Sequence, residues 1–329
     1  MNREVFIRRR RADWKSFDLL TDRLRNRRTA DWSSDDVAQM ARLYRSICYD
    51  LSLVQSREWG YRLEQYLNDL VGRGHNCLYR SPPTSLGAIL RFLSHGFPAL
   101  LRHRRYSFLA ALLLFAGPFL ISMIVGWMNP DVAEQVVGSE MLRGMDKMYS
   151  DKRPDALSAE MAGGMFMMGG FYIVNNVGIA FRAFAMGVFV GIGTIKELVF
   201  NGIVLGMVFG YVLSVGGQMR ENFLTFVVGH GAFELTAIVI AGCAGLVLGQ
   251  GILFPGKRER MASLIHHGLQ SLQLAIGAGV MLVVAAAVEG FWSPFPTHPL
   301  VKYIVGAFLW LSVILYLTLA GRDVVIHED

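Results

Sequence analysis

The sequence predicts an all-α protein, a polytopic membrane helix bundle preceded by a small cytoplasmic helical domain. Apolar residues fill 53% of the 329 positions and mean hydropathy is +0.37, more apolar surface than a soluble core requires. The long apolar runs lie almost wholly beyond Arg105, whereas the chain before it is rich in Arg, Asp and Tyr. Basic residues crowd beside the first long apolar run, the placement expected of cytoplasmic flanks. The net charge of +6 and pI near 9.3 are therefore assigned to membrane topology, and no nucleic-acid partner is expected.

Residues 1–83 read as a cytoplasmic domain of three amphipathic helices. Trp14, Phe17, Leu20 and Leu24 recur on one face of the first. The second follows DWSSDD, where Ser33 or Ser34 can cap free amide groups, and carries Val37, Met40, Leu43, Tyr44 and Ile47 at helical spacing. The third carries Trp59, Leu63, Tyr66, Leu67 and Leu70, and its RGHNCLYR ending runs into Pro82 and Pro83, a predicted boundary. Residues 84–105 mix apolar positions with Arg91, Arg102, Arg104 and Arg105, which suits an amphipathic elbow helix on the inner lipid surface. A basic start separated from the first apolar run by so long a hydrophilic stretch does not read as a cleavable signal peptide.

Residues 106–322 are predicted to form a bundle of about six membrane helices. Tyr106–Met128 is long enough to cross a hydrocarbon layer of roughly 30 Å. An acidic, exported loop is expected around residues 129–160, followed by a partly buried entry helix over the Met- and Gly-rich residues 161–176. Later spans are placed at Val177–Gly193, Ile195–Val215, Phe223–Phe254, Leu272–Gly290 and Val301–Ala320, the second and third spans joined by a tight hairpin at GIGTIKE. With the Arg-rich beginning and the KRER loop at Lys257–Arg260 inside, six crossings leave both termini cytoplasmic.

An ionisable group at the bilayer centre costs about 2.5 to 3.5 kcal/mol on insertion scales, so each one requires a partner, water or a function. Lys196, Glu197 and Glu289 fall near predicted span ends, where water reaches them. Arg182 and Glu234 each count about ten residues into a span, near the midplane at helical rise, and are expected to pair. His230 shares a helix face with Glu234 four residues on. These two supply only two of the three protein ligands usual in catalytic zinc sites, so no metal and no cofactor is expected. Asn175, Asn176 and Asn201 add donors and acceptors that can complete a polar network with Arg182, His230, Glu234 and Glu197. That network serves either to fix helix register or to bind a proton, ion or substrate.

Gly202, Gly206 and Gly210 stripe the third span, and Gly242, Gly245 and Gly249 line the fourth, which lets helices approach closely. The methionines, including Met165, Met167 and Met168, read as core filler rather than soft-metal ligands. Cys48, Cys77 and Cys243 have neither metal spacing nor an even count for a disulfide framework. No catalytic residue is predicted: Cys243 lies on the same helix as Glu234, but no nucleophile stands in a persuasive motif.

The segments NNVGIAFRAFAMGVFVGIGTIKELVFNGIVLGMVFG and GHGAFELTAIVIAGCAGLVLG resemble the stage II sporulation protein M family of bacterial membrane proteins, as do LYRSICYDLSLVQSR and LVGRGHNCLYR in the N-terminal region. The resemblance implies a multi-pass protein of the bacterial inner membrane associated with envelope remodelling, since the namesake anchors peptidoglycan-degrading enzymes during engulfment. Longer relatives resemble products encoded near MoxR-type ATPases, which implies an ATPase-linked protein partner. The function expected is a non-enzymatic inner-membrane scaffold or assembly protein, embedded in the lipid bilayer and paired as a homodimer. The alternative is a transporter or channel built on the Arg182, His230, Glu234 and Asn201 cluster.

Overall fold

The computed structural model describes residues 2–25, 32–79, 86–150 and 174–324. The chain divides into two compact units, Met1–Leu86 and Gly87–Asp329. Among the described residues every regular element is helical.

The first unit holds three helices, α1 (Arg3–Arg25), α2 (Ser34–Ser56) and α3 (Tyr61–Leu78). Ser33 is the cap of α2: its hydroxyl accepts from the Asp36 amide while the Asp36 carboxylate reaches back to the Ser33 amide. The apolar stripes meet in one core of Phe6, Trp14, Phe17, Leu24, Met40, Ile47, Leu67 and Leu70. Val37 and Tyr66, assigned from their spacing to the inner faces, are instead exposed. Asp50 is buried here and fully partnered: Arg10 Nε donates to both carboxylate oxygens at 3.0 and 2.8 Å, and Trp14 Nε1 donates at 2.8 Å. The Pro82–Pro83 boundary lies outside the described residues.

In the second unit, α4 (Leu86–Arg91) runs through a π turn at Phe92–Gly96 into α5 (Phe97–His103). Pro98 has no amide proton to offer the carbonyl of Ser94, which explains why the wider turn sits there. The elbow segment, expected on the lipid surface, packs into the bundle. Phe97, Pro98, Ala99, Leu100 and Leu101 are buried, and Arg102 donates to the Leu317 carbonyl at 2.9 Å. Gly277 provides the cradle for the Phe97 ring, because a Cβ there would overlap it.

Five helices are long and apolar enough to cross a membrane, which makes the chain a multi-pass membrane protein: α6 (Arg105–Met128), α10 (Ile192–Val215), α11 (Gly217–Leu253), α12 (Arg260–Phe291) and α13 (Pro299–Leu319). Between α6 and α10 lie α7 (Pro130–Val137), α8 (Ser139–Tyr149) and α9 (residues 174–185). The exported-loop expectation over 129–160 therefore falls partly on α7 and α8. Its remainder, like most of the entry helix and Met165, Met167 and Met168, falls outside the described residues.

The predicted span Val177–Gly193 requires correction. Its helix stops at residue 185, passes a 3-10 turn at Met186–Val188, and breaks at Val190 and Gly191, whose φ angles are 59° and 82°. Glycine meets that left-handed requirement freely, so the chain turns there and α10 starts at Ile192. The described residues thus contain five long spans rather than six.

Glycine contacts set the order of the bundle. A Cβ on Gly202 would meet Phe115, on Gly206 Phe119, and on Gly210 Met123, so α6 and α10 run parallel with their backbones touching. Parallel neighbours place the end of α6 and the start of α10 at opposite ends of the bundle. The described parts of the connection between them are α7, α8 and α9. Gly242 faces Leu198, Gly245 faces Thr194 and Ala183, and Gly249 faces Gly191, so α11 runs antiparallel to α10. Within the protein 67% of the apolar window of α11 is buried, against 17% for α6 and for α13. The central helix is thus α11, and α6 and α13 present apolar flanks to lipid.

Candidate functional site

Near the end of the bundle where α12 gives way to α13, four elements of sequence converge on one polar cluster. His230 and Glu234, one turn apart on α11, bring His230 Nε2 to 3.8 Å from a Glu234 carboxylate oxygen. Glu289, two residues from the end of α12, faces them: one ligand-type atom of each of His230, Glu234 and Glu289 lies within 4.8 Å of the others. Ser293 follows Glu289 by four residues, and its amide bonds back to the Val288 carbonyl at 2.9 Å, which holds it over the helix end. Its hydroxyl lies 3.0 Å from His230 Nδ1. Lys302, on the first turn of α13, donates from Nζ to the Ser293 carbonyl at 2.6 Å.

The cluster is dry. His230, Glu289, Ser293 and Lys302 are between 1% and 4% exposed. Among the described residues no hydrogen bond or ion pair reaches the Glu289 carboxylate, and the Glu234 carboxylate stands 3.8 Å from the His230 imidazole. Two carboxylates facing one imidazole in such a setting can share a proton, pass one, or hold a cation.

Sequence reasoning found half of this site. Glu289, expected at a watery span end, is buried, because α11 extends about three turns beyond the end of α12 and walls it off. Lys302 and Ser293 carry no signal of their own in the sequence. The signal in the sequence is the repeated four-residue spacing, His230 to Glu234 within α11 and Glu289 to Ser293 across the end of α12. Glu289 stands beside His230 and Glu234 as a third group with a ligand-type atom, one that the sequence reading leaves at a span end.

The predicted Arg182–Glu234 pair does not form. Arg182 Nε lies 3.6 Å from a Glu197 carboxylate oxygen instead. The cause is the break at residues 186–191, which sets Arg182 one turn before a bend and Glu197 about one turn after it. Arg182 is 54% exposed along its side chain and Lys196 72%, while Glu197 is 10% exposed and lies between them. Asn201 donates to the Glu197 carbonyl at 2.7 Å, within its own helix, and Asn175 reaches only Asn176, at 3.4 Å on an exposed face. The one network expected from the sequence is thus two sites, Arg182–Glu197 and His230–Glu234–Glu289, with Asn175, Asn176 and Asn201 outside the second.

Comparison with known proteins gives the two units separate relatives. Residues 4–80 match a domain of unknown function, DUF8413. An uncharacterized protein of Methanocaldococcus jannaschii is 24% identical over 123 residues, 37% of this chain and 68% of that protein. No solved structure matches. Residues 110–294, more than half of the chain, match the model of stage II sporulation protein M and include α10, α11, α12 and the three clustered residues His230, Glu234 and Glu289. The chain belongs to the stage II sporulation protein M family.

Proposed function

We propose that this protein is a non-enzymatic membrane scaffold of the bacterial inner membrane, linked to remodelling of the cell envelope. The observation that carries the reading is the joining of a polar three-helix unit, complete with its own core, to a multi-span family domain in one chain. The polar unit offers a docking surface for cytoplasmic, ATPase-linked partners. Exposed Arg8, Arg9 and Arg11 on α1 suit an acidic partner face. Both termini are cytoplasmic in this reading, with the Arg-rich N-terminal region and the basic loop at Lys257–Arg260 on the same side. A homodimer would use faces other than the glycine stripes, which are occupied by helices of the same chain. The test is mild-detergent purification of the full chain from native membranes: a stoichiometric envelope or ATPase partner is expected, and it should be lost when Arg8 and Arg9 are replaced by Glu. Recovery of the chain alone would overturn the reading.

A second reading, transport, rests on the burial of the His230, Glu234 and Glu289 cluster within a spanning bundle. It requires proteoliposomes to show proton or cation flux that Glu234→Gln abolishes while the protein stays folded.

A further inference from the structure

We infer that His230, Glu234 and Glu289 form a binding site for one divalent transition-metal ion of the zinc class. The inference stands apart from the scaffold and transport readings.

The donor set comes first. One imidazole nitrogen and two carboxylate oxygens from two adjacent helices make three protein ligands, the number that leaves one position of a tetrahedral ion open. Zinc binds such ligands at about 2.0 to 2.2 Å, so ligand atoms on one ion stand about 3.5 Å apart. The present separations of up to 4.8 Å need about an ångström of closure, within reach of rotations of the glutamate side chains.

The orientation of the imidazole comes second. Its Nδ1 lies 3.0 Å from the Ser293 hydroxyl, and the Ser293 carbonyl is in turn held by Lys302 at 2.6 Å. With the proton on Nδ1 donated to Ser293, the Nε2 lone pair faces the carboxylates. An outer partner on the second ring nitrogen is what metal-binding histidines ordinarily have.

The independent observation is Glu289. It is 3% exposed, and among the described residues nothing donates to its carboxylate. A buried, unpartnered carboxylate facing a second one is costly, whereas a divalent cation between them cancels both charges with a neutral imidazole as third ligand. Neither carboxylate has a lysine or arginine as an ion-pair partner among the described residues.

The experiment uses the full chain purified in detergent, stripped with EDTA, re-equilibrated with Zn²⁺ and desalted. Wild type should retain about one zinc per chain, and His230→Ala and Glu289→Gln should each lose it. His267→Ala, at a histidine outside the cluster, should retain it. Equal zinc in wild type and both cluster variants would overturn the proposal. Should the variants fail to fold, X-ray absorption of the zinc-loaded wild type decides the matter. Oxygen and nitrogen ligation with a single imidazole supports the site, whereas two or more imidazoles would assign the ion to His266 and His267 and overturn it. No retained zinc in wild type would also overturn it.

Discussion

Both units of this protein bury a carboxylate, and they treat it in opposite ways. In the polar unit Asp50 receives three hydrogen bonds, two from Arg10 and one from Trp14, so its charge is neutralised and its oxygens are satisfied. In the membrane unit Glu289 is equally buried, yet among the described residues no donor reaches it and its polar neighbours are Glu234 and His230. Satisfied burial of the first kind defines a core. Burial of the second kind leaves a demand that a proton or a cation can answer.

The largest effect expected is therefore in the polar unit. Asp50→Ala leaves the buried Trp14 indole nitrogen unpaired and Arg10 without its main partner, for a loss of about 2 to 4 kcal/mol. Hydrogen exchange on the full chain should show faster exchange throughout α1, α2 and α3, with α10 to α12 unchanged. In the membrane unit the comparable loss comes from shape rather than charge. Gly206→Ala drives a Cβ into the Phe119 carbonyl, a backbone atom that cannot rotate away, and should cost about 1 to 3 kcal/mol in thermal unfolding in detergent. Gly279→Ala on α12, where a Cβ meets nothing within 4 Å, is the control and should be neutral.

Glu289→Gln reverses the sign seen at Asp50. Removing a carboxylate that lacks partners should stabilise the EDTA-stripped protein, by about 1 to 2 kcal/mol, and destabilise the zinc-loaded one, because a ligand is lost. Thermal unfolding of both variants with and without zinc measures this. If Glu289→Gln weakens the stripped protein as Asp50→Ala does, the contrast between the two carboxylates is wrong. Ser293→Ala should weaken zinc binding by about 10- to 100-fold without changing stoichiometry, as removal of an outer partner does.

How far the sequence revealed this arrangement depended on whether a residue's role was set locally. The core of α1 to α3 followed from periodicity, and Ser33 and Asp36 announced the start of α2, because caps and stripes are properties of a few neighbouring residues. The long spans followed from hydropathy alone. Glu289 and Lys302 did not, since their burial depends on how far α11 outruns α12, a fact about two helices that neither segment carries by itself. The bend at Val190 and Gly191 was also hidden. Its residues are apolar enough to continue a span, so hydropathy ran a helix straight through it and carried Arg182 to the midplane.

That error makes Arg182 the smallest and most discriminating test. A guanidinium paired with Glu234 at the bilayer centre would be indispensable, and its loss would strand a buried carboxylate at a cost of several kcal/mol. The observed pair is different: Arg182 is half exposed, its nitrogen stands 3.6 Å from Glu197, and Lys196 lies 3.9 Å from the same carboxylate. A long contact to a half-exposed arginine, with Lys196 still beside the buried Glu197, contributes about 0 to 1 kcal/mol, so Arg182→Gln should shift thermal unfolding only slightly and leave zinc uptake unchanged. A large loss of stability, or of metal, in that variant would place Arg182 beside Glu234 after all, and would show that the two polar sites act as one.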